Sequence, residues 1–144
     1  MKRFIVGVLA ALALGACTHT QRMFGSDAPP FDPEHPRVYI IKGAPGDVYL
    51  AVDQEPIVFA RNKGTVKIKW HLHASDYKFA SAGIAFQPAA RKVISGCTLD
   101  PSDDSFVCDN DTSVTGTFKY TIRVEPKRKG DPTPPPLDPT VVNH

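Results

Sequence analysis

A surplus of one charge is what this sequence most lacks. Lysine and arginine number 17, aspartate and glutamate 15, and the formal net charge is +2. Lys2 and Arg3 supply that surplus, so the remainder of the chain is balanced. A general nucleic-acid binder needs a basic field, and this chain has none to offer. The apolar stretch Phe4 to Leu14 has eleven residues, whereas a helix crossing a bilayer needs ~20. No Gly-rich phosphate loop occurs. Ser81 sits in Phe79-Ala80-Ser81-Ala82-Gly83, which lacks the first glycine of a nucleophile elbow. The acidic stretch with Asp100, Asp103, Asp104, Asp109 and Asp111 has no Asp-x-Asp-x-Asp-Gly ladder, so it reads as a solvated turn rather than a calcium loop. Internal repeats and a long helical period are missing too. With 144 residues there is one domain, with little room for a deep pocket. The reading is a protein that is not an enzyme. A small hydrolase or its inhibitor stays open as a third class, and it would need a buried reactive group in a pocket.

What is present begins at the N-terminus. Met1-Lys2-Arg3 is a positive segment, Phe4 to Leu14 an apolar one, and Leu14-Gly15-Ala16-Cys17 follows. That order is an export signal. Its end resembles the lipobox of bacterial lipoproteins, which reads Leu, small, small, Cys. The resemblance implies diacylglycerol on the Cys17 sulfur, cleavage after Ala16 and acylation of the new amine, palmitate being a usual chain. Two or more acyl chains hold a protein stably on a membrane, where one does so marginally. Thr18, where the family often has Asp for inner-membrane retention, points to the outer membrane, facing the periplasm.

The chain has three cysteines. With Cys17 lipidated, Cys97 and Cys108 remain, and in an oxidising compartment a disulfide is the default. It would stabilise by roughly 2–3 kcal/mol in the loop-entropy picture. The alternative is a thiolate metal site, but zinc sites usually space their cysteines more closely.

Residues 1–16 are thus the signal peptide. Residues 17–36 read as lipid anchor and flexible tether, with Pro29, Pro30, Pro33 and Pro36 and no apolar period. At the other end, Lys127-Arg128-Lys129 precedes Pro132, Pro134, Pro135, Pro136 and Pro139, so residues 127–144 read as a disordered Pro-rich tail. Between them, 37–126 alternates with period two. Val66, Ile68, Trp70 and Leu72 share one face of a strand, and Lys67, Lys69, His71 and His73 the other. Phe118, Tyr120, Ile122 and Val124 point in from a last strand. Asn62-Lys63-Gly64 marks a turn. Seven or eight short strands over this length give an all-β sandwich. These core positions resemble small cupredoxin-like or immunoglobulin-like sandwiches of bacterial envelopes. That resemblance is one of fold and implies no activity.

Cupredoxins hold copper with two His, a Cys and an axial Met, the His and Met closely following the Cys. Neither Cys97 nor Cys108 is so followed, and Met23 is the only Met after the signal. Electron-transfer copper is therefore set aside. His71 and His73 lie on one strand face and, with Asp76, could hold a divalent metal; the plainer reading is two exposed histidines. Lys67, Lys69, His71 and His73 also form a cationic stripe. Lys119 and Arg123 would join it if the last strand shares that sheet. Such a stripe could meet an acidic envelope protein or an anionic cell-surface polymer, or could merely protect the strand from edge pairing. The expected function is a membrane-anchored envelope lipoprotein serving as a binding or structural accessory module. A periplasmic metal-binding protein using His71 and His73 is the alternative. No cofactor is expected beyond the covalent lipid, that metal apart.

Overall fold

The computed structural model describes residues 31–102 and 104–144. The expected signal peptide, Cys17 and Asp103 lie outside the described residues. Among the described residues nine strands form: β1 (Arg37–Lys42), β2 (Val48–Val52), β3 (Ile57–Phe59), β4 (Thr65–His73), β5 (Tyr77–Phe86), β6 (Ile94–Leu99), β7 (Ser105–Asp111), β8 (Gly116–Pro126) and β9 (Thr140–Asn143). They build one sheet of five strands, ordered β2-β1-β4-β7-β6, and one of four, ordered β3-β9-β8-β5. The chain is the all-β sandwich expected, with one strand more.

Alternation places the core. In β4, Ile68, Trp70 and Leu72 are buried while Lys67 and His73 are exposed. In β8, Tyr120, Ile122 and Val124 face inward from the opposite sheet. Trp70 and Tyr120 meet in the middle with ring centroids 5.3 Å apart. The indole N–H donates to the Tyr120 hydroxyl at 3.2 Å, which keeps both polar tips partnered inside an apolar layer. Phe86 packs on Tyr120 at 5.2 Å. The turn after β3 requires left-handed backbone, and Asn62 and Gly64 supply it with φ of 62° and 74°. Cys97 and Cys108 are joined as a disulfide that ties β6 to β7.

Two boundaries of the sequence reading are corrected. Residues 127–144 are not a disordered tail. β9 lies between β3 and β8 in the four-stranded sheet, and Val141 is fully buried. Proline lacks an N–H but keeps its carbonyl, and this segment uses that half of the backbone. Pro139 accepts from the Tyr120 N–H at 3.0 Å, Leu137 from the Ile122 N–H at 2.7 Å, and Pro132 from the Tyr77 hydroxyl at 3.0 Å. Pro134 and Pro139 are themselves buried. The tether also ends earlier than position 36. Glu34 and Pro36 accept hydrogen bonds from the Lys69 and His71 N–H groups at 2.8 and 3.0 Å, so residues 34–36 prolong β1 along β4.

Candidate functional site

The outer face of the five-stranded sheet gathers most of the residues singled out in the sequence. β4 turns Lys67, Lys69, His71 and His73 outward. β1 runs parallel beside it and sets Arg37 opposite His71 and Tyr39 opposite His73. On the other flank, antiparallel β7 sets Asp109 opposite Lys67 and Ser105 opposite His71.

Lys67, His71 and His73 each have a defined neighbour. Lys67 Nζ donates to Asp109 Oδ1 at 2.8 Å. The His71 Nδ1 lies 3.3 Å from Ser105 Oγ, and its ring stacks on that of His35 at 6.2 Å. Partial burial, followed by the charges of Lys69, His35 and His73, pushes the His71 imidazole below its ordinary range. His73 instead faces the Tyr39 ring at 5.2 Å. Asp76 is held by Lys42, whose Nζ donates to it at 2.8 Å; that bond lowers the Asp76 carboxyl and raises the Lys42 amine.

The metal trio is therefore divided among separate partners. His71 and His73 share a face as expected, while Asp76 pairs with Lys42. Among the described residues, no group of three or more His, Cys, Asp or Glu is placed to hold a metal ion. His35, which falls inside the segment 17–36 read as tether, is the imidazole that reaches His71. Its Nδ1 in turn bonds Asp32 Oδ2 at 2.7 Å.

The cationic stripe is corrected as well. β8 belongs to the four-stranded sheet, so Lys119 and Arg123 point away from the sandwich on the opposite side from Lys67 and Lys69. With Lys67 ion-paired to Asp109, the stripe is shorter and less cationic than alternation on β4 alone implied.

What the sequence reading missed is apolar. Ile41 of β1 and Tyr49 of β2 are directly opposed across the ladder, and they are 51% and 49% exposed. Tyr39 and Ala51 form the next outward pair, so this patch is continuous with His73 through the Tyr39 ring. The signal was available: Val38 is a core residue, and period two then forces Tyr39 and Ile41 outward.

No family model matches the chain, and no curated protein matches it. The described helical structure, a single turn at Ala90–Lys92, is far too short to cross a membrane.

Proposed function

We propose that this chain is a lipid-anchored module of a bacterial cell envelope that docks a partner protein on the outer face of its five-stranded sheet. The anchor rests on the lipobox Leu14-Gly15-Ala16-Cys17. The docking rests on one observation, the exposed Ile41–Tyr49 pair beside Tyr39 and His73. Interface cores are enriched in tyrosine and depleted in lysine, which this patch matches. An anionic polymer would want an unbroken cationic face. Here Lys67 is paired with Asp109, and Lys119 and Arg123 lie on the other sheet. Tethering near the membrane raises the local concentration of the domain and so the occupancy of a membrane-bound partner.

The test places a photo-crosslinking residue at Tyr49 in the full chain, within its own membranes. The same residue at Lys119, on the opposite sheet, is the control. The expected result is one discrete protein adduct from position 49, lost in Ile41→Ser and absent from position 119. Equal adducts from both positions, or none from 49, overturn the docking reading. Cys17→Ser should release the chain from the membrane fraction; unchanged membrane association overturns the anchor.

A further inference from the structure

The two sheets leave a trench on the side where β5 and β6 are their edge strands. Its volume is about 390 Å³, within the range of small-ligand sites, which is ~300–1,000 Å³. Ile84, Phe86, Ile94 and Phe106 line its floor. Among the described residues, Arg91 is the sole charged residue on its lining. The Arg91 Nε–H donates to the Phe86 carbonyl at 3.1 Å, which fixes the guanidinium beside the apolar floor.

The edges themselves decide what kind of occupant fits. The β5–β8 ladder loses register between Phe79 and Ile84, and the β6–β7 ladder between Ser95 and Thr98. Bulges of this kind break the regular row of N–H and C=O groups that an added strand would need. Gly83 and Gly96 build them in: a Cβ at Gly83 would lie 2.8 Å from Phe79 Cβ, and Gly96 has φ of 62°. Both walls are thus poor templates for a peptide strand, while the apolar floor and single cation are kept. Asp109, which lies beside Gly96, is paired with Lys67 and so does not oppose an anion strongly.

We propose that this trench binds a free fatty carboxylate, with its chain on Ile84, Phe86, Ile94 and Phe106 and its head group on Arg91. Apolar area supplies the attachment, and the fixed guanidinium selects a carboxylate over a neutral or cationic head.

A diazirine-bearing dodecanoate offered to the full chain in lipid nanodiscs tests this, with the photoadducts mapped by peptide mass spectrometry. Adducts are expected on the segments 81–86 and 94–97, saturable and displaced by laurate. Dodecanol and dodecyltrimethylammonium should displace far less. Arg91→Gln should weaken the apparent affinity by about tenfold, the size of one charge-assisted hydrogen bond. Ala82→Trp, at an exposed wall position, should block labelling while the thermal melt is unchanged. Scattered adducts, labelling unaffected by Arg91→Gln, or displacement by the cationic amphiphile as strong as by laurate overturns the proposal. Because neither variant touches Ile41 or Tyr49, failure here leaves the docking face to its own test.

Discussion

Asn110 and Asn143 face each other across the sandwich and exchange two amide hydrogen bonds. Asn110 Nδ2 donates to Asn143 Oδ1 at 3.0 Å, and Asn143 Nδ2 to Asn110 Oδ1 at 2.9 Å. The first sits on β7 and the second on β9, so the pair joins the two sheets through buried polar side chains. Asn143 also reaches the Asp111 and Val114 carbonyls at 3.3 and 3.2 Å. A buried amide pair is specific because each partner satisfies the other and neither can be lost singly without an orphan.

Asn143→Ala should therefore cost more than the deleted atoms. It strands the Asn110 amide inside the core, a penalty of about 1–3 kcal/mol. Urea unfolding of the variant should show a lower midpoint at unchanged slope. A midpoint equal to the parent's would mean that water reaches Asn110 and the pair is not a closed unit.

Removal of residues 137–144 should be far more severe. β9 is the strand that joins β3 to β8, and Val141 is fully buried. Its burial alone is worth roughly 1.5–3 kcal/mol. The truncated chain should lose β3 pairing and melt at much lower temperature, with early proteolysis near Ile57–Phe59. A truncated chain with the parent's melt would restore the tail to the solvent.

The fold was legible wherever one face of a strand is buried. β4 and β8 announce themselves because Trp70 and Tyr120 sit at period two among other core residues. β9 did not, because Val141, Val142 and Asn143 follow a run of prolines whose usual meaning is exposed chain. Composition shows that a proline cannot donate; it does not show that Pro139 will accept from Tyr120. The site was legible by strand face and illegible by sheet. Lys119 and Arg123 alternate as expected, but only the strand order assigns β8 to the other layer. Likewise Asp76 lies near His73 in sequence, while the partner that captures it, Lys42, is thirty-four positions away.

The Tyr120 hydroxyl should steepen alkaline unfolding. Burial holds its pKa well above the ordinary tyrosine value, with the Trp70 bond opposing in part. The unfolded chain then loses this proton first, near pH ~10. With fewer protons bound in the unfolded state, stability falls as pH rises beyond that point. Tyr120→Phe removes the titration but strands the Trp70 N–H, so the variant should be less stable at pH 7. Its deficit should shrink above pH ~10, measured by urea midpoints at each pH. A deficit that stays constant would show that Tyr120 holds its proton equally in the folded and unfolded states over that range.

His71 should act in the opposite direction, at acid pH. Burial and the neighbouring Lys69, His35 and His73 hold its imidazole below the ordinary value, with Asp104 opposing. The unfolded chain therefore binds the proton first as pH falls through ~6.5, and stability is lost from there downward. The groups most exposed to the new charge are His35, stacked at 6.2 Å, and the backbone of residues 34–36, which lies along β4. Proton NMR should place the His71 midpoint below that of a free histidine. Hydrogen exchange should report faster opening at the Lys69 and His71 amides, whose acceptors are Glu34 and Pro36, as the pH drops from 7 to about 5. In His71→Gln, which keeps a polar neighbour for Ser105 but cannot titrate, that acceleration should be weaker. If the two amides open equally fast with acid in both proteins, the weak point lies in the His35–Asp32 contact instead, and His71 is a bystander to it.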